Sequence, residues 1–166
     1  MRQQELIEKA SQEVDRNREM VERDSYRLRF HLMPPTGLLN DPNGFIQFKG
    51  VYHLFYQWNP FETAHGAKFW GHVSSNDFIN WEHQPIALAP SEWYEKNGCY
   101  SGSAVEHEGK MVLFYTGNVK DENGERETYQ CMAVSQDGIT FEKKGPVIYL
   151  PEGYTAHFRD PKVWKK

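Results

Sequence analysis

The feature that most constrains this chain is a strand pattern that recurs about every 60 residues. After residue 30, short β-like runs alternate with turn signals: Gly44–Gln47, Val51–Trp58, Phe69–Ser75, Trp81–Leu88, Tyr100–Glu106, Met111–Thr116, Thr128–Ser135, Phe141–Lys143 and Pro161–Trp164. Gly44-Phe45-Ile46 followed by Tyr52-His53-Leu54-Phe55-Tyr56 resembles Gly102-Ser103-Ala104-Val105 followed by Met111-Val112-Leu113-Phe114-Tyr115. Val73 to Trp81 resembles Val134 to Phe141, and Lys49-Gly50 has its counterpart in Glu108-Gly109. A four-stranded unit with such a period predicts an all-β chain built from propeller blades. A β-sandwich would explain the strands but not the period.

The blades assigned this way are a first at about 40–97, a second at about 98–157 and the start of a third at 158–166. Propellers close with four or more blades, and an open piece exposes edge strands. Two expectations follow: this is the N-terminal part of a longer protein, or copies self-associate through the open edges. Ahead of the repeat, residues 1–27 form a separate element. Leu6, Ile7, Ala10, Val14 and Val21 share a stripe over Gln3–Glu22, uninterrupted by Gly or Pro, which predicts a helix docked on the β domain.

A net charge of −4 gives nothing to attract nucleic acid or an anionic membrane. No apolar run is long enough to span a bilayer, and the charged N-terminus lacks a signal core, so a cytoplasmic location is expected. Cys99 and Cys131 read as two lone thiols in a reducing compartment. The spacing of His53, His72, His83, His107 and His157 fits no metal site, and no cofactor is expected.

The repeat has a chemical consequence. Asn40-Asp41-Pro42-Asn43-Gly44 combines two turn dipeptides before an apolar run, and Arg159-Asp160-Pro161 repeats the Asp-Pro 119 residues later, two periods on. Asp41, the Tyr100-Ser101 pair and Asp160 therefore start three successive units and should converge at one mouth of a central channel. Two carboxylates in an aromatic-rich funnel (aromatics are 14% of the chain) point to glycosidic-bond chemistry on a small sugar. Asn40 should help keep Asp41 ionised, as suits a nucleophile, and Arg159 should hold Asp160 ionised as well. A separate proton donor is then required; Glu92, Glu95 and Glu106 are present, but nothing around them in sequence predicts a raised pKa.

The run from His31 through Gly44 resembles the signature of the invertase-type β-fructofuranosidases, glycoside hydrolase family 32. Further matches are Phe55-Tyr56-Gln57-Trp58-Asn59-Pro60, Phe69-Trp70-Gly71-His72, Tyr100-Ser101-Gly102-Ser103-Ala104 and Phe158-Arg159-Asp160-Pro161. The resemblance implies a five-bladed propeller followed by a β-sandwich. It implies Asp41 as nucleophile and Asp160 as transition-state stabiliser oriented by Arg159. Asn40, Gln57, Trp70 and Ser101 would line the fructose pocket, with Tyr100 beside them. The family's acid/base lies in a Glu-Cys pair, which this sequence does not contain.

Two departures stand out. Leu38-Leu39 replaces an aromatic that many relatives carry before the Asn-Asp, giving either an apolar pocket wall or core. His65, in Ala64-His65-Gly66, replaces a Trp of some relatives and resembles the intracellular sucrose-6-phosphate hydrolases; with Lys68 it could face a phosphate. The expected activity is retaining hydrolysis of a terminal β-fructofuranosyl bond in sucrose or sucrose-6-phosphate. The alternatives are a catalytically incomplete fragment or fructoside-binding module, and a fructosyltransferase.

Overall fold

The computed structural model describes residues 2–166. A 20-residue helix α1 (Gln3–Glu22) precedes eight strands: β1 (Leu38–Phe48), β2 (Val51–Asn59), β3 (Phe69–Ser75), β4 (Glu82–Leu88), β5 (Cys99–His107), β6 (Lys110–Lys120), β7 (Arg126–Ser135) and β8 (Glu142–Tyr149). They form two four-stranded antiparallel meanders, β1-β2-β3-β4 and β5-β6-β7-β8. The chain is thus all-β with one helix.

The sixty-residue repeat is built into the turns. Lys49 and Gly50 (φ 50° and 85°) join β1 to β2, and Glu108 and Gly109 (φ 50° and 73°) join β5 to β6. Two consecutive positive φ values make the two-residue turn whose twist matches antiparallel strands. After β3, the Asp77 carboxylate accepts the Ile79 and Asn80 N–H groups at 2.9 and 2.7 Å and the Ser75 hydroxyl at 3.0 Å. After β7, Asp137 binds Ile139, Thr140 and Ser135 in the same way, each at 2.8 Å.

Alternation along the strands buries both faces of the first sheet. Phe55 and Trp70 point towards the second sheet and meet Tyr94, Leu113, Tyr115 and Phe141. Tyr56, Trp58, Phe69 and Val73 point the other way, where Leu6, Ile7, Ala10 and Val14 of α1 cover them. The helix therefore docks through its apolar stripe, four of whose five residues join this cluster. Cys99 and Cys131 are free thiols within the inter-sheet core. Burial raises both thiol pKa values, Cys131 to about 12, which leaves them unreactive.

Four expectations need correction. The Asn40–Gly44 run is no turn between elements: it lies inside β1, which starts at Leu38. Its turn-forming residues appear as breaks in register against β2, between Leu39 and Pro42 and between Asn43 and Ile46, with Gly44 at φ 60°. The strand expected at Phe141–Lys143 is β8, which runs to Tyr149 and accommodates Pro146 because it is an edge strand. The hairpin β6–β7 extends past the expected ends, Thr116 and Thr128, to Lys120 and Arg126. Pro161–Trp164 forms no ladder; it lies beside β5, where the Ser103 hydroxyl donates to Pro161 O (2.8 Å) and accepts from Val163 N (3.0 Å).

Candidate active site

The two sheets meet along β1 and β5, and side chains rather than a backbone ladder join them there. Ser101 Oγ donates to Asp41 Oδ2 at 3.1 Å, and Gly102 N donates to Asn43 Oδ1 at 3.3 Å. Ser103 reaches the 158–166 segment in the same fashion, one period further along. Within the second sheet β5 passes so close to β6 at this point that glycine is required: a Cβ on Gly102 would stand 1.9 Å from Phe114 O.

At one end of this seam opens a cavity of about 430 Å³ lined by Asn40, Asp41, Gln57, His65, Lys68, Tyr100, Lys120, Arg126, Arg159 and Asp160. Asp41 and Asp160, which the sequence separates by two periods, thus line one cavity. Asn40 Nδ2 donates to Gln57 Oε1 at 3.1 Å, which fixes the amide beside Asp41. Among the described residues Asn40 Oδ1 is buried and accepts nothing, so a ligand hydroxyl has an acceptor waiting there.

Electrostatics separate the two carboxylates. Desolvation works to raise the Asp41 pKa, but hydrogen bonds from Asn40 and Ser101, its own N–H and the Arg159 charge outweigh it, so it falls below its ordinary value. Asp160 goes the other way. Desolvation raises its pKa, the Asp41 charge adds to the rise, and Arg159 only opposes them. Arg159 stands beside Asp160 without setting the direction of the shift. Its Nε lies 3.5 Å from Asp160 Oδ2 with both side chains substantially exposed, a geometry in which an ion pair contributes little.

Asp160 is held by groups that sequence reading passed over. It sits at φ 60°, an uncommon conformation that Asp tolerates better than most residues. Its N–H donates to Thr116 Oγ1 (2.9 Å), and Thr116 in turn donates to Gln130 Oε1 (2.9 Å). Gln130 Nε2 and Thr128 Oγ1 both donate to Phe158 O, at 2.8 and 3.1 Å. Thr116, Thr128 and Gln130 are all buried, and buried polar residues amid apolar strand positions were the available signal.

The other sequence candidates fall into three groups. Gln57, His65, Tyr100 and Arg159 line the cavity with the two carboxylates. Ser101 is buried behind Asp41 and supports it. Trp70, Leu38 and Leu39 lie outside the lining: Trp70 departs from the pocket position expected of it, and of the two alternatives for the leucines the pocket wall is the one not seen. Trp70 is fully buried between the sheets against Phe55 and Tyr115, and touches the site only by donating to Tyr100 O at 3.1 Å. Leu39 packs into the helix-side cluster and Leu38 is half-buried. Lys120 and Arg126 are cavity residues that the sequence did not single out.

No glutamate lines the cavity. Glu95 is fully buried elsewhere, where it pairs with Lys143 and accepts from Tyr115 Oη at 2.6 Å. Among the described residues no three His, Cys, Asp or Glu side chains form a metal-binding group, and no helix is long and apolar enough to cross a membrane.

Residues 31–166 match the family model described as "Glycosyl hydrolases family 32 N-terminal domain". The chain is 62% identical over 162 residues to a sucrose-6-phosphate hydrolase of Bacillus subtilis (strain 168), covering 98% of this chain and 34% of that protein. It is 59% identical to a Klebsiella pneumoniae protein of the same name, covering 86% of this chain and 31% of the other. Among solved structures, sucrose-6-phosphate hydrolase from Lactobacillus gasseri superposes with a TM-score of 0.89 at 39% identity, over 94% of this chain and 32% of that one. A Bombyx mori β-fructofuranosidase variant in complex with sucrose gives 0.86 at 39% identity, over 96% and 34%. The chain thus spans about a third of the length of the relatives it matches.

Proposed function

The chain belongs to glycoside hydrolase family 32, and from that premise we propose that it carries the nucleophile half of a retaining β-fructofuranosidase acting on sucrose-6-phosphate or sucrose. The observation that carries this reading is the Asp41 setting: a carboxylate kept ionised by Ser101 and Asn40, in a cavity with an unpaired acceptor and a second carboxylate of opposite pKa shift. Asp41 attacks the anomeric carbon of the fructosyl unit. The bond to the glucosyl oxygen breaks, and an acid delivers a proton to that oxygen. Water then attacks the fructosyl–Asp41 ester and frees the carboxylate. Asp160, gripping fructose hydroxyls, stabilises the positive charge that develops on the ring, with Arg159 beside it. Asn40, Gln57, Tyr100 and Ser101 complete the fructose side.

The proton donor is assigned to residues outside this chain, since no Glu-Cys pair occurs in it and no glutamate faces the cavity. On this reading the two sheets are the first two blades, about 40–97 and 98–157, of the family's five-bladed propeller, with 158–166 opening a third and 1–27 forming a separate helix. The enzyme acts in a reducing cytoplasm, in keeping with two free buried thiols. The same missing glutamate favours a second reading, a fructoside-binding module without turnover.

Asp41→Asn in the full-length protein separates the two. It keeps an acceptor for Ser101 and removes the nucleophile, so hydrolysis of both substrates should fall by several orders of magnitude while the fold persists. Near-normal activity in that variant sinks Asp41 as the nucleophile, and binding without turnover in the unmodified protein supports the module.

A further inference from the structure

Lys68 is the anomaly of the cavity. The residue lines the cavity and is 3% exposed, yet among the described residues its Nζ is buried with no hydrogen-bond partner. A buried ammonium without an acceptor is costly. The fold asks only for this residue's backbone, whose carbonyl accepts from Cys99 N at 2.8 Å and ties β3 to β5. Desolvation lowers the Lys68 pKa and the Asp41 charge offsets this only in part.

Two further cations face the same space. Lys120 and Arg126 are register partners at the mouth of the β6–β7 hairpin, and both line the cavity. No carboxylate among the described residues pairs with either. Arg126 is half-buried, its guanidinium centred 5.7 Å from the Tyr100 ring, a stacking that fixes the donor fork. With Arg159, four cations meet two carboxylates in one cavity of a chain whose net charge is −4. A concentration of unpaired donors at one concave spot fits a compact dianion with several acceptor oxygens, which a phosphate monoester is near neutral pH.

We propose that Lys68, Lys120 and Arg126 form a phosphomonoester subsite on the leaving-sugar side of the cavity. The proposal rests on the fructosidase reading for its geometry: Asn40 and Asp41 on the innermost strand take the fructosyl unit, and the second sheet's hairpin takes the phosphate of the departing hexose. These three cations then determine specificity rather than chemistry.

The test measures kcat/KM for sucrose-6-phosphate and for sucrose in the full-length protein and in Arg126→Gln and Lys68→Met. A charge-assisted hydrogen bond to phosphate is worth about 10- to 100-fold. The ratio of the two kcat/KM values should fall by that factor in each variant, through KM for the phosphorylated substrate. A ratio that stays constant, whether or not both activities fall, overturns the subsite. Arg126 lies at a hairpin mouth, so its variant reads out even where Lys68→Met misfolds. If the unmodified protein turns over neither substrate, the fructosidase reading fails on its own. The subsite is then read by calorimetric titration with glucose 6-phosphate and glucose. Tighter binding of the phosphorylated sugar, lost in Arg126→Gln, supports it, and equal or absent binding of the two refutes it.

Discussion

Removing the Lys143 ammonium should cost this fold more than any loss of an exposed ion pair would. Glu95 is 0% exposed and Lys143 is 9% exposed at the side chain. The carboxylate accepts from Lys143, from Tyr115 Oη at 2.6 Å and from the Ser91 and Glu92 N–H groups at 3.2 and 3.4 Å. Lys143 Nζ also donates to Ala89 O (2.5 Å) and Ser91 Oγ (3.1 Å). The pair thus fastens the 89–98 connector between the sheets onto β8. Lys143→Met keeps most of the stem and leaves a buried carboxylate with only neutral donors, a loss of about 3–5 kcal/mol. In a chain of this size that lowers Tm by roughly 6–20 °C. Adding Glu95→Gln removes the stranded charge and retains an acceptor for Tyr115, so the double variant should be more stable than Lys143→Met alone. Urea unfolding of the parent, both single variants and the double closes the cycle. A loss below about 1 kcal/mol in Lys143→Met, or simple additivity in the double, refutes the reasoning that burial makes this pair a clamp.

Three other outcomes are expected. Ser101→Ala removes a donor that favours ionised Asp41, so the acid limb of the kcat/KM–pH profile should move to higher pH; an unmoved limb means Ser101 does not tune Asp41, or Asp41 is not the proposed nucleophile. Asp160→Asn should raise the neutral-pH Tm while lowering activity. The folded pKa of Asp160 lies above its unfolded value, so its ionised form destabilises the fold above that pKa. The stability gain should therefore fade as pH falls into the ordinary carboxylate range, and Tm curves that keep a constant separation argue against it. Gly102→Ala should destabilise by about 1–3 kcal/mol or more, because its Cβ would stand 1.9 Å from Phe114 O, and a thermal scan reads this directly.

Much of the architecture was legible because the repeat writes the same local chemistry twice. Lys49-Gly50 and Glu108-Gly109 make matching turns, and Asp77 and Asp137 close matching loops, so periodicity in sequence became periodicity in hydrogen bonding. Asp41 and Asp160 were found by the same logic. What escaped was whatever depends on tertiary context. Asn40–Gly44 looks like a turn because Asp-Pro and Asn-Gly disrupt ladders; inside β1 they produce register breaks instead. Trp70 looks like a sugar platform, but the strand alternation that buries Phe55 buries it too. Lys120 and Arg126 fell in an apparent loop because strand signals fade where β6 and β7 leave the core and continue as a paired hairpin. Thr116 and Gln130 reveal their purpose only through the partners they reach in the 158–160 segment.

The site and the fold draw on the same residues for a physical reason. Neighbouring innermost segments of the two sheets share no backbone ladder, so their polar groups need side-chain partners: Asp41 with Ser101, Asn43 with Gly102, Ser103 with Pro161 and Val163. Each of these bonds spans 58 to 60 residues, one period of the repeat. A repeat unit must therefore place hydrogen-bonding side chains where the sheets converge, and convergence also creates the concave end in which a ligand can be gripped. Lys68 marks where the two demands part. Asp41 earns its place twice, as a link between sheets and as a charge in the cavity, whereas among the described residues the Lys68 ammonium finds no partner, which is the place the proposed phosphate would fill.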